Sequence, residues 1–69
     1  NSYMTEKMLA ETESEIARLE ATMKMYEVQL ANPVVQQDVE ELAKLSQQME
    51  QAQQNLDVLY EKWERLAAE

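Results

Sequence analysis

The stretch LAKLSQQMEQAQQNLDVLYEKWERL, residues 42–66, carries apolar side chains at alternating steps of three and four residues. The stripe consists of Leu42, Leu45, Met49, Ala52, Leu56, Leu59, Trp63 and Leu66. This heptad spacing is typical of a helix that buries one narrow face against a partner helix, with Leu42 at an a position and Leu45 at a d position. It predicts a coiled-coil helix over about residues 38–68.

The first half of the chain has a matching but less regular stripe, which predicts a second long helix over about residues 3–30. Its members are Leu9, Ile16, Leu19, Met23, Tyr26 and Leu30. Because glycine and cysteine are absent and helix-forming residues dominate, sheet structure is not expected. We therefore predict an all-α fold, an antiparallel two-helix coiled-coil hairpin that forms one domain over residues 1–69. The predicted core is Ile16, Leu19, Met23, Tyr26, Leu42, Leu45, Met49, Leu56, Leu59 and Trp63.

The turn is predicted at about residues 31–37, because Pro33 cannot continue the first helix. Asp38 followed by Glu41 resembles a capping box that starts the second helix. The rival interpretation makes Asn32 an N-cap with Pro33 at the first helical position, so that the second helix begins earlier.

The two stripes also predict a register. If Ile16 is an a position, the antiparallel seam pairs residues whose numbers add up to about 68, which places Leu19 beside Met49. The chain then reverses near residue 34, and this favours the longer loop over the rival interpretation.

The N-terminal part of the first helix fits the stripe less well. Thr5 and Thr12 occupy d positions, and Thr12 with Glu15 has the spacing of a capping box. A break or bend near Thr12, separating a short N-terminal helix, and one continuous helix with weak core layers remain as alternatives.

The charge balance excludes several functions. With 14 acidic and 6 basic residues the net charge is -8, which argues against a surface built to attract nucleic acid or anionic lipid. Without histidine or cysteine, and without EF-hand spacing, the chain offers no predicted catalytic residue, metal site or cofactor site. No apolar run approaches the roughly 20 residues of a membrane span, so we expect a soluble, cytoplasmic protein without a membrane partner. The chain begins with Asn1 rather than methionine, and we interpret it as a piece of a longer protein.

Three segments carry a family resemblance: Ile16-x-x-Leu19-Glu20, Leu30-Ala31-Asn32-Pro33 and the closing YEKWERL of residues 60–66. Together they resemble the C-terminal coiled-coil domain of the ABC-F family of ATP-binding cassette proteins. The closing segment looks like the family's pattern of tyrosine, two residues, tryptophan and glutamate. Asn32-Pro33 stands where the family usually has Asp-Pro, and Glu13 stands near a position where the family often has proline.

This resemblance implies a non-catalytic accessory arm of a ribosome-associated ATPase that takes part in translation. The ribosome or its RNA would be the partner, and ATP and magnesium would act in the parent protein, not in this chain. DNA binding, which the resemblance to Uup-like members suggests, is an alternative that the net charge disfavours. A structural dimerisation module is another alternative, but several positions of the second helix beside the seam are uncharged, and this favours a self-contained, monomeric hairpin. These uncharged positions are Ser46, Gln48, Gln53 and Asn55.

Several side chains are candidates for contact with a partner. Met25, Val28, Val34 and Val35 would form an exposed apolar tip, unless the loop valines fold back over the helix ends. The candidate phosphate contacts are Arg18, Lys24 and Lys44. Trp63 and Tyr60 are predicted to close the open end of the hairpin near Tyr3, because an aromatic at core spacing is more often structural than functional.

Overall fold

The structure, a computed structural model, describes residues 2–69. In this part of the chain, helix α1 spans Tyr3–Leu30, the single-turn helix α2 spans Pro33–Gln36, and helix α3 spans Val39–Ala67. Helices α1 and α3 pack along each other in a rod 51 Å long and 14 by 12 Å across. The predicted all-α hairpin is confirmed.

Helix α1 is continuous, so of the two alternatives for the segment near Thr12 the continuous helix is confirmed and the break is wrong. The helix starts at Ser2, whose Oγ accepts a hydrogen bond from the backbone N–H of Thr5 at 3.1 Å. Thr12 does not cap a helix; its hydroxyl donates to the carbonyl oxygen of Met8 at 2.7 Å, and only 2% of the residue is exposed. This bond to the preceding turn lets a threonine sit inside a helix and fill a core layer.

The turn uses both capping signals that the sequence offered. Asn32 Oδ1 accepts from the N–H of Val34 at 2.9 Å and starts α2 with Pro33 at its first position, while Asp38 Oδ1 accepts from the N–H of Glu41 at 3.1 Å and starts α3. Residues 31–37 are therefore not an irregular loop, since one helical turn lies between the long helices. The rival interpretation was right about the Asn32 cap but wrong about the start of the second long helix.

The core is a thin seam along the centre of the rod. Its buried apolar residues are Ile16, Leu45, Ala52, Leu56 and Leu66, joined by the buried threonines Thr5 and Thr12. With the exception of Trp63, the remaining predicted core residues are half-buried. They are Leu19, Met23, Tyr26, Leu42, Met49 and Leu59.

Trp63 is 37% exposed, so its assignment to the buried core is wrong. A seam between only two helices covers the centre of the stripe, and a large ring extends beyond it into solvent. The predicted aromatic closure of the open end is also wrong, because Tyr3 is 76% exposed and Trp63 lies beside Ile16, in the middle of α1.

The predicted register is displaced by one heptad. Leu19 lines a groove with Val58 and Leu59, whereas the predicted pairing placed it beside Met49, about two turns away. Tyr26 likewise lines a groove with Ala52 instead of lying at the level of Leu42.

The observed grooves fit pairs whose residue numbers add up to about 75, such as Leu19 with Leu56 and Met23 with Ala52. This register retains the matching of a with d positions, because seven residues are one full heptad. It also places Thr12, the least exposed of the buried residues, at the level of Trp63. The shift follows from α2, which moves the reversal of the chain from residue 34 towards Asp38.

The seam predicts where the stability resides. Replacing Ile16 or Leu45 with alanine removes buried methyl groups and leaves a cavity that the two helices cannot fill by moving together. Each substitution should therefore lower the free energy of unfolding by about 2–5 kcal/mol. Val39→Ala, at a residue 79% exposed, is the matched control and should change it by less than about 0.5 kcal/mol. Urea unfolding followed by circular dichroism measures all three; equal stabilities would show that the seam is not the core.

Candidate interaction surfaces

The described part of the chain presents surfaces and shallow grooves. Within residues 2–69, no group of three or more carboxylates is arranged to hold a metal ion. None of the helices in these residues combines the length and the apolar character that a membrane span requires. The remaining candidates are the turn end of the rod, the basic side chains and the two long edges where α1 and α3 meet.

The turn end carries exposed apolar side chains. Met25, Val28 and Val34 are exposed, whereas Val35 is half-buried, so one loop valine faces solvent and the other is partly covered. Val39 was not predicted from the sequence; it lies in the first turn of α3 and is among the most exposed apolar residues. One feature of the sequence indicates that Val39 is exposed: it is an apolar residue that directly follows the Asp38 cap and lies outside the heptad stripe. We call Met25, Val28, Val34 and Val39 the apolar tip.

The candidate phosphate contacts are exposed but do not converge. Arg18 lines grooves on one edge of the rod, beside Asn55. Lys24 lines a groove on the other edge, and its Nζ lies 3.9 Å from Glu27 Oε2. Lys44 lies on α3, where the register places it near the turn. The three side chains therefore do not form one basic patch.

One edge of the rod holds a hydrogen bond that joins the two long helices. The Tyr60 hydroxyl donates to Glu20 Oε2 at 2.6 Å. This bond stabilises the neutral phenol and raises the pKa of Tyr60 above its ordinary value of 10.0; partial desolvation and the negative charges of Glu20 and Asp57 act in the same direction. Tyr60 was predicted to lie at the open end, because the predicted register is displaced by one heptad from the observed one.

The same edge holds an open groove of about 320 Å³ next to this hydrogen bond. Its apolar surface comes from Ile16 and Ala17 of α1 and from the rings of Tyr60 and Trp63. Glu20 and, one heptad earlier, Glu13 complete its lining. The groove therefore combines aromatic surface with carboxylates, a pairing that can receive an extended cationic side chain.

Taken together, the rod and its capped turn define a small helical hairpin module. The family model of the ABC transporter C-terminal domain matches residues 1–68, and the chain belongs to this family. It is therefore a C-terminal domain of an ABC protein. No curated protein and no solved structure matches the chain.

The raised pKa of Tyr60 gives a prediction with a defined sign. The bond to Glu20 stabilises the fold while the phenol is neutral, so its contribution is complete below pH 10 and is lost as the pH rises through the raised pKa. Tyr60→Phe should abolish the phenol that ionises above pH 10, measured as phenolate absorbance during an alkaline titration. Tyr3→Phe is the control, because Tyr3 is exposed. If the phenol that Tyr60→Phe removes has a pKa of 10 or below, the hydrogen bond between Tyr60 and Glu20 is contradicted.

Proposed function

We propose that this domain is the accessory arm of an ABC-F ATPase and that its apolar tip contacts the ribosome. In this proposal the domain itself is non-catalytic, and the cassettes of the parent protein bind ATP and magnesium in the cytoplasm. The membership in the C-terminal domain family supports the link to an ABC protein. The resemblance of the YEKWERL segment to ABC-F proteins supports the finer assignment.

The length of the rod supports a role in which the turn contacts a partner at a distance from the parent protein. Its ends are 51 Å apart, and the turn lies at the end opposite both chain termini. A parent domain joined to a terminus would therefore hold the turn away from itself. The most distant surface is the one best placed to meet a partner.

The exposure of the tip is the observation that carries the proposal. Val34 is 76% exposed, and Val28 and Val39 are also largely exposed on neighbouring elements of the same end. Exposed apolar surface at the end of the rod that lies farthest from the termini is a candidate contact surface. Nothing in the packing of the hairpin requires these side chains to be apolar.

The charge distribution favours apolar contact over a phosphate-binding arm. Because Arg18, Lys24 and Lys44 do not converge and the net charge is -8, the domain has little capacity for independent nucleic-acid binding. The DNA-binding alternative thus has less support than contact through the tip, with other domains of the parent supplying affinity for ribosomal RNA.

The test replaces Val28, Val34 and Val39 with serine in the parent protein. Because all three are exposed, the hairpin should keep its helicity and melting temperature, while co-sedimentation with ribosomes should weaken roughly tenfold. Val35 is left unchanged because it is half-buried, and its loss would confuse binding with folding.

The matched control replaces Met4 and Val58 with serine, because both are exposed apolar residues away from the turn. This double variant should bind ribosomes as the unaltered protein does. Unchanged ribosome binding in the tip variant, or equal weakening in the control, would overturn the proposal.

A further inference from the structure

The two long edges of the rod differ in charge. Along α1, glutamate occupies every seventh position on the edge that holds the Tyr60 hydrogen bond: Glu6, Glu13, Glu20 and Glu27. We call this row the acidic edge. The grooves on this side confirm the placement of the last three, since Glu13 and Glu20 line one groove and Glu20 and Glu27 line the next.

Helix α3 does not neutralise this row. The positions of α3 that face it are uncharged, namely Ser46, Gln53, Tyr60 and Ala67. The adjacent heptad positions of α3 add further acids, namely Glu50, Asp57 and Glu64. Lys24 is the basic residue on this side, and its ion pair with Glu27 is exposed.

The opposite edge is mixed in charge. Its grooves are lined by Glu15 and Arg18 from α1 and by Asn55 from α3, and the same heptad positions of α3 carry Lys62 and Arg65. The acid excess of the chain is therefore concentrated on one side of the rod, next to the groove formed by Tyr60 and Trp63.

We propose that the acidic edge docks a helix of a partner protein that carries lysine or arginine at every seventh residue, with one cationic side chain lying against Trp63 and Tyr60. Glutamates seven residues apart are spaced about 10 Å along α1, which matches such a partner helix lying alongside. Carboxylates attract its charges, and an indole ring binds a guanidinium or ammonium group on its face. Tryptophan and tyrosine also supply large contact areas at interfaces.

The same chemistry argues against other occupants. Carboxylates repel the phosphates of nucleic acids and of anionic lipids. A second copy of the chain docked by two-fold symmetry would bring the two acidic edges together and would be repelled. A basic protein helix is the occupant that both the charge and the aromatic groove fit.

The probe is a labelled helical peptide with arginine at every seventh residue, added to the 69-residue chain. Trp63 is the only tryptophan, so its fluorescence reports directly on the groove. We expect saturable binding by anisotropy of the label, accompanied by a change in Trp63 emission. A peptide with glutamate in place of the arginines should not bind.

Matched double variants localise the site. Glu13→Gln with Glu20→Gln should weaken peptide binding by about five- to tenfold, because two ion pairs are lost. Glu11→Gln with Glu15→Gln makes the same change in net charge away from the acidic edge and should weaken it less than twofold. Circular dichroism verifies the fold, and Glu6→Gln with Glu27→Gln is the second variant of the edge if the first is destabilised.

Several results would overturn the proposal. Equal weakening in the edge variants and the control pair would indicate general charge attraction, and unchanged Trp63 emission at saturation would place the peptide elsewhere. Comparable binding of a single-stranded oligonucleotide would assign the edge to nucleic acid. A dimer in sedimentation equilibrium that becomes tighter with Glu13→Gln and Glu20→Gln would assign it to a second copy of the chain.

Discussion

Burial of one apolar seam between α1 and α3 is the interaction on which the rest of the structure depends. Across residues 2–69 the rod is two helices wide, so side chains such as Ile16, Leu45 and Leu56 hold together two helices of nearly equal length. Hydrogen bonds at Ser2 and Asp38 define where the helices begin, but helix caps are worth only about 1 kcal/mol each. The seam also determines which residues remain on the edges and at the tip, and therefore which surfaces a partner can meet.

The helices could be predicted from the sequence because their apolar residues recur with the period of a coiled coil. The register could not, because a heptad repeat matches a with d positions equally well after a shift of seven residues. The length of the turn resolves this ambiguity, and it depends on the small helix that Asn32 starts and on the Asp38 cap that starts α3. Each cap could be recognised in the sequence, but the sequence did not show that both are used, with Asn32 starting α2 and Asp38 starting α3.

Exposure was harder to predict than helical position. The heptad gave the position of Trp63 along the stripe, but it carried no information about how much of a large ring two helices can cover. The pattern also left Thr12 undecided between a cap and a core residue, a choice that its bond to Met8 resolves.

The candidate surfaces show a similar limit. The net charge of the chain argued against a broad basic surface, but a net charge does not show where the acidic residues lie. The sequence does contain glutamate at every seventh position of α1. This row could be interpreted as part of a docking surface only once the register was known, because the register places Tyr60 and Trp63 beside Glu13 and Glu20. Exposed apolar residues near the turn were predicted at Val28 and Val34, whereas Val39 was missed although it too is an apolar residue outside the heptad stripe.

The contrast between the two edges and the position of the groove both require the register in which paired numbers add up to about 75. Nuclear Overhauser contacts between methyl groups of the unaltered protein test it most directly, because such contacts arise only between groups a few ångströms apart. In this register we expect contacts from Leu19 to Leu56 and from Met23 to Ala52. Contacts from Leu19 to Met49 and from Ile16 to Ala52 would contradict it.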